Sequence, residues 1–141
     1  MSLHQILLAL HLLFMATGLG LSFSNLINTR LSLGKSGDMA KGLGLQRRMV
    51  ARFGDGVIAL IWVSGLALLW QHGMAGLNGW FHAKMAFVIL LTISHAMARL
   101  TAGQMMRSGN MALLPRLSFY IAGVWVSAVA AVILAVMAFA A

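Results

Sequence analysis

Few residues in this chain are equipped for chemistry. It holds five histidines, two acidic residues, ten lysines and arginines, and no cysteine. Without cysteine, disulfides, iron–sulfur clusters and thiolate ligation of haem are excluded. Histidine remains, the commonest metal ligand among side chains and an axial ligand of haem iron. His82, Lys84 and His95 all fall within GWFHAKMAFVILLTISHAMAR, residues 79–99, an apolar stretch long enough to cross a bilayer. Near the centre of a membrane helix an ionisable side chain costs at least about 2.5–3.5 kcal/mol, which makes such residues functional candidates. His11 stands in a similar stretch near the N-terminus.

Successive residues of a helix are rotated by about 100°. On that wheel His4, His11, Gly18, Ser22 and Asn25 share one face of the first stretch. A stripe of polar and small residues turns toward a bundle and away from lipid. Gly18 and Ser22 leave room for a flat macrocycle or a second helix. In the later stretch Lys84 and His95 fall within about 20° of each other, with Arg99 one turn beyond; His82 is displaced by more than about 90°. With a 1.5 Å rise, His11 and His82 differ by roughly 8 Å in depth and His11 and His95 by roughly 12 Å. Tilt closes the smaller gap more easily. The sequence therefore pairs His11 with His82 as candidate ligands of a haem iron, keeps His95 as the alternative partner, and offers Lys84 to a buried propionate. Asp55, three residues after Arg52, reads as a carboxylate meeting a helix N-terminus and a local cation, or as a proton-transfer group.

Four elements must position these side chains. Apolar segments run over about 3–27, 50–70, 80–98 and 117–139, each near the ~17–25 residues of a membrane helix. With 61% hydrophobic and 9% charged residues and a mean hydropathy of +0.92, the expected fold is a single all-α domain over 1–141, an integral membrane four-helix bundle. The net charge of +8 does not signal nucleic-acid binding, because the cations sit between the spans. Basic loops stay in the cytoplasm. That rule puts both termini on the outer, periplasmic side of a bacterial inner membrane. The N-terminus lacks a charged leader and a small-residue cleavage site, so it reads as a first membrane helix.

The stretch 28–49 reads as a basic cytoplasmic loop that sets topology. Its alternatives are a mobile segment or a short amphipathic helix around Met39–Met49 on anionic headgroups. Pro115 suits the start of the fourth helix. Gly123, Ser127, Ala131 and Ala135 form a small-residue stripe for helix packing or for a homodimer. Trp70 and Trp80 suit the outer aromatic belt.

LHLLFMATGLGLSF, with His11, and GWFHAKMAFVILLTISH, with His82 and Lys84, together resemble the HemJ-type protoporphyrinogen oxidases, small membrane proteins of bacterial haem biosynthesis. That family has a histidine early in its first helix and an H-x-K pair opening its third, the order of His11, His82 and Lys84. His95 corresponds to a later histidine, and Arg47 or Arg48 and Gly65 are similar to an arginine and a glycine around the second helix. The chain departs from the family in lacking a tryptophan after His11, a Pro-Arg pair and an Asn-Glu-x-Pro motif. It also resembles uncharacterised four-helix bacterial proteins with an F-H-A-K motif.

The resemblance implies a haem b-binding membrane oxidoreductase, a protoporphyrinogen oxidase or small cytochrome b, that meets porphyrin or quinone and holds its cofactor through His11, His82, Lys84 and His95. A competing expectation is a non-catalytic accessory subunit of a larger respiratory or photosynthetic membrane complex, its histidines in lipid, quinone or structural contacts. A third is a small transporter using Lys84, His95 and Arg99 as an ion path.

Overall fold

The computed structural model describes residues 2–73 and 77–140. Four long helices account for almost all of them: α1 (Leu3–Ser32), α2 (Gly37–His72), α3 (Gly79–Ser108) and α4 (Leu114–Ala140), the last preceded by a 3-10 turn over Met111–Leu113. Among the described residues there is no strand. Each helix contains a segment long and apolar enough to cross a bilayer. The chain is a multi-pass, all-α membrane four-helix bundle.

Local chemistry marks the helix ends. Ser2 and Gln5 form a capping box: the Ser2 hydroxyl accepts from the Gln5 amide at 3.2 Å and the Gln5 side chain accepts from the Ser2 amide at 2.8 Å. Both satisfy amides that a helix start leaves unpaired. Asn78 caps α3 by accepting from the Phe81 amide at 3.0 Å, and its Nδ2 donates to the Ala138 carbonyl at 3.2 Å, tying the start of α3 to the end of α4. Gly109 closes α3 in the left-handed region at φ +64°, where a side chain would be strained.

The expected loop over 28–49 is helical instead, apart from a short turn between Ser32 and Gly37. At 36 residues, α2 is about 54 Å long, well beyond the ~30 Å hydrocarbon core. Its first three turns therefore extend past the membrane-spanning part. They do not lie flat on headgroups; they run back along α1. Asn28 Nδ2 donates to Gln46 Oε1 at 3.0 Å, and Arg47 Nη1 donates to Ser32 Oγ at 3.0 Å. Tertiary pairing keeps this glycine-containing stretch helical despite its modest propensity.

The bundle is two antiparallel hairpins. α1 packs on α2, α3 packs on α4, and the hairpins meet along α1 and α4. The backbones of α2 and α3 do not pack closely. Small residues set the close approaches. A β-carbon on Gly18 would stand 3.2 Å from Val57 Cγ1, and one on Gly123 would stand 3.2 Å from Ser94 Oγ. Ser127 and Ala131 are buried below Gly123, so the small-residue stripe of α4 serves packing within the bundle. Phe23 and Trp125, centroids 5.9 Å apart, join α1 to α4. Ala98, Met105, Leu114, Leu117 and Ile121 form a buried cluster between α3 and α4. Trp70 and Trp80 are exposed near the end of the bundle that carries the termini.

Candidate functional site

The separation of α2 from α3 opens the interior. A cavity of about 1180 Å³ lies in the bundle, lined by all four helices. That exceeds the ~300–1,000 Å³ common for small-ligand sites. Met15, Ile61, Val88, Leu91 and Val124 give it apolar walls, and Asn25 contributes a polar spot. The Asn25 Oδ1 atom is buried with no hydrogen-bond partner, an acceptor left open.

Charge gathers at one end of this cavity. Lys41, Arg47, Arg48, Arg52 and Arg99 line it, against the single carboxylate of Asp55. Asp55 is committed: its Oδ1 accepts from His95 Nε2 at 2.6 Å and its Oδ2 pairs with Arg99 Nη2 at 3.2 Å. Trp62 Nε1 donates to Thr92 Oγ1 at 3.1 Å nearer the middle of the bundle. These side chains bridge α2 and α3 where the backbones stay apart. Arg47 is 9% exposed, and its guanidinium donates to the neutral Ser32 hydroxyl. No carboxylate lies in salt-bridge reach of it among the described residues. A buried charge without an opposite partner is costly by several kcal/mol.

Asp55 differs from its sequence reading. It lies in the interior of α2, not at a helix start, and its partners are His95 and Arg99 in place of Arg52 and a helix dipole. The wheel reading that put His95 and Arg99 on one side of α3 matches their shared partner. Lys84 leaves that group, because it does not line the cavity.

The four residues expected to serve a cofactor occupy separate places. His11 is buried in the contact of α1 with α2. Ser64 donates its hydroxyl to the Leu60 carbonyl at 2.6 Å, so it accepts from His11 Nδ1 at 2.8 Å. This assigns the proton to Nδ1 and leaves the Nε2 lone pair open. Gly65 gives the ring its room, since a β-carbon there would meet His11 Cε1 at 3.2 Å. Lys84 is half-buried. His82 is exposed, and its Nδ1 donates to the Asn78 carbonyl at 2.9 Å, which likewise leaves Nε2 open.

His95 faces the cavity with Nε2 engaged by Asp55, and its Cε1–Nδ1 edge lies beside Gly54. His11 and His82 do not line the cavity. Each is individually prepared as a ligand, with its other nitrogen anchored as in metal-bound histidines. They do not converge with the cavity on one iron site, so a haem ligated by both His11 and His82 does not fit in that space.

The sequence signal for the Asp55 cluster was visible in one respect, since Asp55 is the sole acid within an apolar span. Arg47 carried no such signal: its burial depends on α2 folding back along α1. Comparison with family models, with curated proteins and with solved structures finds no match.

Proposed function

We propose that this chain is a membrane protein that binds an amphipathic molecule of the bilayer, of lipid or quinone class, in the cavity between α2 and α3. The observation that carries this reading is the cavity itself, apolar along its length and cationic at one end. An apolar void of this size inside a membrane is filled by whatever matches its walls, and the gap between α2 and α3 opens it sideways. Asp55, His95 and Arg99 hold the two helices at a fixed spacing beside the charged end. In this reading the basic end faces the cytoplasm of a bacterial inner membrane and both termini face outward, as the distribution of lysine and arginine indicates. The chain works as a binding subunit, alone or beside a larger membrane complex.

The experiment is extraction and mass spectrometry of small molecules from the detergent-purified protein, beside an Ala51→Trp variant whose new side chain enters the cavity. One amphiphile per chain, reduced in the variant, supports binding. Equal trace amounts in both proteins refute it.

A second reading keeps haem b, with His11 or His82 as ligand and oxidoreductase chemistry of the protoporphyrinogen oxidase type. The fixed Nδ1–H of each ring favours it. A Soret band lost in His11→Ala or His82→Ala is the result this reading requires; a colourless purified protein removes it.

A further inference from the structure

We infer that the cationic end of the cavity is a site for the phosphate of an anionic phospholipid, with Arg47 as its principal contact. The inference rests on the binding reading above and names the head of the bound molecule. It starts from the charges the chain possesses. There are two acidic side chains in all, Asp38 and Asp55. Asp38 is on the outside with Lys41, the pair at 3.7 Å and fully solvated. Asp55 is taken by His95 and Arg99. No side-chain carboxylate is left for Arg47, although it is the most buried of the cations lining the cavity. Its counter-charge must come from another molecule.

Depth and shape select that molecule. Arg47 precedes the apolar part of α2, which opens near Val50, by three residues, or about 4.5 Å. That is the level at which a bilayer changes from acyl chains to phosphates. Below Arg47 the walls are apolar, the surface that acyl chains cover. The guanidinium spends one donor on Ser32 Oγ, and its planar fork matches two phosphate oxygens at once. Arg48 and Arg52 line the same end and are exposed, so they add field without being fixed in place. A zwitterionic lipid brings its own cation into this cluster; an anionic lipid does not. The net positive lining therefore discriminates between headgroups as well as holding one.

The test uses the full chain reconstituted in nanodiscs of phosphatidylcholine with increasing phosphatidylglycerol, then released for native mass spectrometry. The expected result is one retained phosphatidylglycerol per chain, preferred over phosphatidylcholine by about tenfold, as suits a charge-assisted contact. Arg47→Gln is expected to bring that preference close to unity, while Arg47→Lys keeps part of it by retaining charge without the fork. Lys35→Gln, a substitution at a residue that does not line the cavity, is expected to leave it unchanged. Should Arg47→Gln fail to fold, the wild-type preference and Arg47→Lys still decide the matter. Retention of both lipids equally overturns the anionic site while sparing the binding reading. Retention of neither overturns both. Inorganic phosphate at up to about 100 mM, a large excess over any lipid, is expected not to displace the phosphatidylglycerol; displacement would show a site for free phosphate and overturn the lipid assignment.

Discussion

Asp55→Asn is the substitution that bears most directly on how the cavity is held open. It removes the carboxylate charge and replaces one of its two oxygens, of which Oδ1 accepts from His95 and Oδ2 pairs with Arg99. Hydrogen bonds to charged groups are worth about 1.5–3 kcal/mol when well sheltered. The Asp55 and Arg99 side chains are 45% and 37% exposed, so that arm belongs with solvent-screened pairs, at about 0.2–1 kcal/mol. The His95 arm is shorter and its imidazole is 18% exposed, which places it nearer the lower edge of the sheltered range. The total loss expected for Asp55→Asn is thus about 1–3 kcal/mol.

The assay is reversible unfolding in mixed micelles, followed by far-ultraviolet circular dichroism as denaturing detergent is added, for Asp55→Asn, His95→Gln, Arg99→Gln and the two doubles that contain Asp55→Asn. The Asp55–His95 cycle should give a coupling of about 1 kcal/mol, above the ~0.3–0.5 kcal/mol within which independent sites add, and the Asp55–Arg99 cycle about half of that, at the upper edge of that range. Additive losses in both cycles would refute the cluster as the bridge between α2 and α3. An increase in stability for Asp55→Asn would do the same.

Other expectations follow from single contacts. Gly65→Ala forces a methyl to 3.2 Å from His11 Cε1 and should cost about 1–3 kcal/mol in the same unfolding assay. Ser64→Ala leaves the Nδ1–H of His11 without its acceptor; a loss of about 1–3 kcal/mol is expected, together with a changed ring tautomer in nitrogen NMR of labelled protein. Trp62→Phe deletes the donor to Thr92 and should cost only about 0.6 kcal/mol, the usual worth of such a bond between membrane helices. For topology, cysteines introduced singly at Lys35 and Leu77 in this cysteine-free chain should react from opposite sides of sealed vesicles, with position 77 labelled from the periplasmic side.

Much of this fold was legible because membrane spans are written in long apolar runs. The α1 stripe was readable for the same reason of periodicity: His11 and Ser22 are buried, Gly18 meets Val57 and Ile61, and Asn25 reaches the interior, while His4 at its end is exposed. Other features depend on contacts that no local pattern encodes. Residues 37–49 read as a loop because three glycines and three cations are interspersed there, yet pairing with α1 makes them helix. Placing the helix start near Val50 then made Asp55 look like an N-terminal carboxylate. Its true partners lie 40 or more residues away in sequence. The same refolded stretch buries Arg47, which composition alone marked as one more topogenic cation.

The most direct measurement is the number of anionic phospholipid molecules that stay with each wild-type chain after exhaustive detergent washing, counted by phosphate and chain-length analysis of the extract. The account predicts one per chain in wild type, with little left in Arg47→Gln or Ala51→Trp. A washed protein that is folded, uniform and free of lipid would contradict it.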